Sequence, residues 1–408
     1  MIRVRSCWRS WEDHWESVLE AGKELSMSED EVKASVEELK NIFDDKWIKK
    51  NMNKHHFAYY ICHPEMSGHI FELLQLGSAI HTLGGTNAIS SDTLRNLKNT
   101  GNWLSAYYEI GVLAQMKKVL ENEGLELVHI GRLEKKGILK KGKRPDGLVL
   151  EQGYDNLLDY EKWKYWVEVK YLQPMPDRIN RTLGEYSKKI AEKLARKYPP
   201  RTAVTVEIRE IEDVGELLEQ LLERMGEKPS EQDIKWLKNY LLENLRSVLE
   251  RASEVVERGE LGEAKDVGVS ISISSPKKVE EDNHICYIYD DGLKLTVPKG
   301  KDFGPPIVRR TRIGMPAYYM ILLLRAINIL RAKYKIVEAS KQVSELPPEL
   351  PELRSILVLG PLSFPSLVVE DVREAYRLAR SGCEEVGKIG GIWVHVPIRG
   401  KFARLSLE

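Results

Sequence analysis

The chain has 408 residues, 42% hydrophobic and 30% charged, which is ample for a packed core and suggests two or three domains. Lys plus Arg and Asp plus Glu both number 62, so the net charge is zero, and any attraction for a nucleic acid must come from local patches. Four scattered cysteines without a C-x-x-C argue against a disulfide framework or a zinc ribbon. No signal-type segment opens the sequence, and the most apolar run, Pro316 to Leu330, is broken by Arg325 and too short for a bilayer of about 30 Å. The expectation is a soluble, cytoplasmic protein with no membrane partner.

Residues 1–99 read as helices. Trp8, Trp11 and Trp15 form an i, i+3, i+7 stripe suited to core packing. Ser28 and Glu31 make a capping box ahead of an amphipathic stretch ending near Asn51. A third helix is predicted from Gly68 to Leu83, stopped by Gly84-Gly85, and a short fourth after Ser91-Asp92.

The pattern then changes. Asn102 to Glu123 is a strong helix closed by Gly124, and Leu125 to Leu133 alternates like a strand. A basic turn from Lys135 to Arg144 leads into two strands, the first opening at Asp146 and the second reading YWVEVKYL. Thr182 and Glu185 form a capping box for a helix with Leu183, Tyr186, Ile190, Leu194 and Tyr198 on one stripe, ended by Pro199-Pro200. Thr202 to Arg209 alternates again. The order over 100–210 is helix, three strands, helix, strand.

Gly215 to Gly259 reads as a charged helical insertion. A strand over Val267 to Ile273 and a hairpin over Ile285 to Val297, turning at Asp291-Gly292, follow. A long helix (Pro316 to Lys341), a Pro-rich connector, and a strand–helix–strand ending (SILVLG, Val369 to Arg380, GIWVHVP) should extend the central sheet. The expected divisions are a helical N-terminal region (1–99), a core (100–210), a helical insertion (211–265) and an α/β extension (266–408).

Side chains alternate faces along a strand, so Trp166, Glu168, Lys170 and Leu172 share one face. A Glu and a Lys on a strand this rich in Val, Tyr and Trp suggest more than solvent decoration. Asp146 opens the neighbouring strand, and paired antiparallel strands lie about 4.8 Å apart, so both carboxylates can reach one ion. Upstream, Ala106, Glu109, Leu113, Met116 and Leu120 make an apolar helical stripe with one charge, which is costly to bury unless paired or metal-bound. Gly111 would permit that helix to approach the sheet closely. Hydrolysis of a phosphodiester needs a stabilised dianionic transition state and an activated water; hard oxygen ligands holding Mg²⁺ or Mn²⁺ serve both. Lys170 would orient the water or balance charge.

Arg144-Pro145-Asp146 followed by Glu168-Val169-Lys170, on this element order, resembles the PD-(D/E)xK nuclease superfamily. The resemblance covers residues 100–210. It implies an α/β fold with a restriction-endonuclease-like αβββαβ core and a mixed central sheet. It further implies a metal site from Asp146 and Glu168 with Glu109 as auxiliary acid, catalysis by these three with Lys170, and nucleic acid as the partner, DNA before RNA. The Gln-x-x-x-Tyr signature of the exonuclease-like branches is not matched. The chain holds decoys: Glu31-Val32-Lys33, Glu134-Lys135-Lys136 and Pro176-Asp177 lack the strand context. A catalytically silent nucleic-acid-binding or scaffold protein on the same fold is the competing reading.

Lys143, Arg144, Arg178, Arg181 and Lys188 flank the proposed centre and are candidate phosphate contacts, against a solvated hairpin tip or structural ion pairs. His55, His56, Cys62, His63, His69 and His81 match no common zinc spacing. A homodimer, and a protein partner on the N-terminal helices, remain open.

Overall fold

The computed structural model describes residues 11–63, 67–139, 144–153, 156–172, 203–207, 229–241, 243–244, 270–274, 277–281, 284–288, 294–298, 317–360, 369–396, 401–405 and 407. The chain divides into two compact units, Met1–Gln173 with Ala332–Ser363 and Val368–Glu408, and Pro174–Arg331 with Phe364–Leu367. No helix among the described residues is long and apolar enough to cross a membrane.

In the first unit, α1 (Trp15–Glu24), α2 (Glu29–Ile42), α3 (Asp45–Asn51), α4 (His56–Cys62), α5 (Ser67–Thr82) and α6 (Ser91–Leu97) precede the long helix α7 (Trp103–Glu121). The expected capping box forms: Ser28 Oγ accepts the Glu31 N–H and Glu31 reaches back to the Ser28 N–H. Trp11 is buried and Trp15 partly buried, as a core stripe requires; Trp8 lies outside the described residues. Helices α2 and α5 cross tightly at Gly77, where a Cβ would stand 2.3 Å from the Ser35 carbonyl oxygen.

The sheet has six strands in the order β1-β2-β3-β9-β10-β11. These are β1 (Leu125–His129), β2 (Gly147–Glu151), β3 (Trp163–Tyr171), β9 (Ser355–Gly360), β10 (Ile389–Val396) and β11 (Lys401–Leu405). The first three run as an antiparallel meander, β9 lies parallel to β3, β10 parallel to β9, and β11 antiparallel to β10. The fold is therefore mixed α/β with a mixed sheet.

The strand over Leu125 to Leu133 is shorter than expected. It stops at His129, whose Nδ1 accepts the Gly131 N–H and caps α8 (Ile130–Lys135). More consequentially, β4 (Ala203–Glu207) is not in the central sheet. It pairs with β5 (Ser270–Ser274) in a two-stranded sheet of the second unit. The place beside β3 goes to β9, so the first unit's sheet is completed from beyond residue 350 and the 100–210 core is not continuous in sequence. The expected hairpin over Ile285 to Val297 does form, as β7 (His284–Ile288) with β8 (Lys294–Pro298), joined by β6 (Lys277–Glu281) in a separate three-stranded sheet. The helix with Leu183 and Tyr198, and the turn at Asp291-Gly292, lie outside the described residues.

One face of the six-stranded sheet packs on α7 through Leu127, Val149, Val167, Val169, Ile356, Val358 and Trp393. Helix α7 buries both this side and the side against α5 and α6, which explains why it is apolar nearly all round. Its core runs on without a break into Leu39, Phe57 and Leu73, so residues 1–99 do not stand apart from the sheet. The expected stripe of Ala106, Leu113, Met116 and Leu120 is buried. Gly111 plays no part in it: a Cβ there would meet nothing within 4 Å. The opposite face carries Leu148, Leu150 and Trp166. It packs on Val343 of α9 (Ala317–Ser344), whose residues from Ala332 belong to this unit. Helix α10 (Val369–Gly382) joins β9 to β10.

Candidate metal and catalytic centre

The candidate residues gather where β1 ends, β2 begins, and β3 and β9 approach their C-terminal ends. Gly147 pairs with Val167, and the Asp146 N–H donates to the Val167 carbonyl at 2.9 Å. One further residue of that register sets Asp146 opposite Glu168. Asp146 Oδ2 then accepts the Val169 N–H at 2.7 Å. The first acid is thus fastened to the strand segment that carries the second.

Glu168 and Lys170 are both buried, as their place on a central strand dictates. Lys170 Nζ lies 2.7 Å from Glu168 Oε1. It also donates to Glu338 Oε1 at 2.9 Å and to Gln342 Oε1 at 2.6 Å, both from α9. Burial pulls the ammonium toward deprotonation, but Glu168, Asp146 and Glu338 outweigh it and push its pKa above the ordinary lysine range. Glu168 Oε2 is buried with no hydrogen-bond partner. Burial, and then the Asp146 charge, push the Glu168 carboxyl well above the usual range. Burial and Glu109 push Asp146 up to about 8.

Glu109 reaches this end of the sheet from α7. Its Oε1 accepts from Thr93 Oγ1 at 3.0 Å and lies 3.4 Å from His129 Nε2. Burial raises it to about 7, against the lowering effects of Thr93 and Lys170. His129 is fully buried, and burial followed by the Arg144 charge depresses it to about 3. Its Nδ1 is an acceptor, so the ring of neutral His129 carries its proton on Nε2, toward Glu109.

The structure brings Asp146, Glu168 and Lys170 together and holds Glu109 close enough to shift both acids. Glu109 itself turns to Thr93 and His129. Among the described residues no group of three or more His, Cys, Asp or Glu side chains stands ready as a ligand set. The donors still suit a hard cation: Glu168 Oε2 lacks a partner, and the acids raise one another's pKa, a repulsion a divalent ion relieves.

Arg144 requires a correction. It is buried, its guanidinium contacts Glu134 and lies 3.6 Å from Asp92, and it is not free to grip a phosphate. The reason is the short helix α8, which puts Glu134 where an open basic turn was expected. Lys143, Arg178, Arg181 and Lys188 lie outside the described residues. The histidine cluster is used for packing: His55 Nδ1 caps α4, His56 stacks on Trp103 and His69 on Tyr60.

Sequence reasoning missed Thr93, His129, Glu338 and Gln342. His129 left one signal, a polar residue at the inward end of a strand followed by Gly131. Glu338 and Gln342 left only an i, i+4 polar pair in the charged second half of a long helix. Thr93 left none. Comparisons with protein-family models, curated proteins and solved structures returned no match to this chain.

Proposed function

We propose that the chain is a metal-dependent nuclease of the PD-(D/E)xK type, hydrolysing phosphodiester bonds, with DNA the favoured substrate. The observation that carries the reading is the Asp146–Val169 hydrogen bond beside a Glu168 oxygen without a partner. It makes one acidic centre of the two motif halves. The element order supports it too: α7, β1, β2 and β3, then α9 and β9, is an αβββαβ series once the short helix α8 and the segment between β3 and α9 are set aside.

Asp146 and Glu168 would hold Mg²⁺ or Mn²⁺, with Glu109 as the auxiliary acid. The ion supplies neutralisation of the developing dianion and a more acidic water. Its carboxylate neighbours favour the charged form of Lys170, so its proposed role is to donate hydrogen bonds to the water or to a phosphate oxygen and to balance charge. Thr93 holds Glu109 by a hydrogen bond, with His129 Nε2 3.4 Å away.

Cleavage of a panel of DNA and RNA substrates with and without divalent ions tests the reading. Asp146→Ala and Lys170→Ala should each lose activity by at least about a hundredfold. Cleavage by both variants at the parent rate would refute the assignment. Calorimetric titration with Mn²⁺ addresses the competing reading, since a silent binding protein need not take up the ion at a site that depends on Asp146.

A further inference from the structure

An ammonium has three N–H donors. Those of Lys170 meet three acceptors, Glu168 Oε1 at 2.7 Å, Glu338 Oε1 at 2.9 Å and Gln342 Oε1 at 2.6 Å. Two of the three come from α9, four residues apart and so on one helix face. That face is set down on the sheet by Val343, which packs with Trp166 in the same core cluster. Trp166 shares its strand face with Glu168 and Lys170. Glu338 adds a fourth carboxylate to a region that already holds Asp146, Glu168 and Glu109, and it raises Asp146 further. Such a charge is unfavourable there unless the lysine it binds compensates it.

We infer that Glu338 and Gln342 are positioning residues that fix the Lys170 ammonium against Glu168, so that α9 sets where the lysine presents itself to the reacting phosphodiester. This rests on the proposed nuclease reading and adds two residues to it. The two differ in kind. Gln342 makes the shorter bond and is uncharged. Glu338 is half-exposed and shares its carboxylate with Lys335, 2.7 Å away. It is therefore the acceptor that a substrate oxygen replaces when the lysine turns to it.

The test follows the ammonium by its ¹⁵Nζ–¹H NMR signal, assigned as the resonance missing in Lys170→Ala. In the parent it should exchange its hydrogens with water at least about tenfold more slowly than surface lysines, as a fully hydrogen-bonded buried ammonium does. Glu338→Ala and Gln342→Ala should each remove that protection. Glu338→Gln and Gln342→Glu, which keep an acceptor oxygen, should retain it, and Lys341→Ala on the same helix should leave it unchanged. In cleavage assays the alanine variants should lower kcat roughly tenfold or more with KM within about twofold. An ammonium that exchanges like a surface lysine in the parent, or stays equally protected in both alanine variants, overturns the inference. If the parent cleaves nothing, the nuclease reading fails on its own, and the NMR signal still decides whether α9 positions the lysine.

Discussion

Asp146 Oδ2 and the Val169 N–H are joined at 2.7 Å, and this single bond ties the acid at the mouth of one strand to the residue between Glu168 and Lys170 on the next. An asparagine can keep that bond through its own side-chain oxygen while removing one of the mutually repelling charges. Scanned above pH 8, where Asp146 is ionised in the folded protein, Asp146→Asn should therefore raise the melting temperature of the metal-free protein by about 2–4 °C, on the scale of roughly 1 kcal/mol of relieved repulsion. It should also abolish divalent-dependent cleavage. A variant less stable than the parent by thermal scan in chelator would show that the acids do not repel as described.

Stability should also vary with pH in a defined direction. Asp146, raised from 3.8 to about 8, and Glu109, raised from 4.5 to about 7, keep protons in the folded state that the unfolded chain has already released. Their contribution is complete at low pH and is lost as pH rises through the folded values. His129, lowered from 6.5 to about 3, acts oppositely, but its contribution is fully present above 6.5. Between pH 6.5 and 8 only the acids remain, and the metal-free protein should lose about 2 kcal/mol across that interval. Urea midpoints in chelator at the two ends measure this, and saturating Mg²⁺ should flatten the trend. A flat or rising profile in chelator would count against raised pKa values at these acids.

Two glycines, one beside the turn that carries Thr93 and one on the helix that carries Glu109, should respond in opposite ways to alanine. At Gly131 a Cβ would lie 2.4 Å from the backbone of Ile89 and Ser90, just before the turn that places Thr93 against Glu109. Gly131→Ala should cost about 1–3 kcal/mol, because backbone must move. At Gly111 a Cβ meets open space in mid-helix, and Gly111→Ala should stabilise by up to about 1 kcal/mol. Paired urea titrations decide both.

Arg144 should behave as part of the core. Arg144→Gln leaves the largely buried Glu134 without its cation, while Asp92 keeps Arg95 at 3.0 Å, a loss of about 3 kcal/mol for a buried pair. The salt dependence of any nucleic-acid binding should keep its parental slope, since no phosphate contact is removed. A slope reduced by about one would restore Arg144 to the binding surface.

What the sequence disclosed follows from the range of the signals. The stripe of α7, the alternation of β3 and the capping box at Ser28 are written in residues a few positions apart, and each formed. Asp146, Glu168 and Lys170 were legible for the same reason, being ordered along two adjacent strands. Which strand lies beside β3 was not legible, because periodicity marks a strand without naming its neighbour. Val204 and Val206 alternate as well as Ile356 and Val358 do, yet only the latter pair reaches the central sheet. Glu338, Gln342 and Thr93 were hidden by the same limit, and Arg144 because its burial depends on Glu134 arriving on an unexpected helix.

The two partners that Lys170 finds on α9 lie 168 and 172 residues further along the chain, and the strand that flanks it on one side is made later still. While the protein is being synthesised, the lysine and its strand emerge long before the helix that holds them. A nascent chain ending short of α9 therefore carries the acids and the lysine without the helix residues that fix the lysine's place. The same separation gives the first unit a high contact order and a correspondingly slow final folding step.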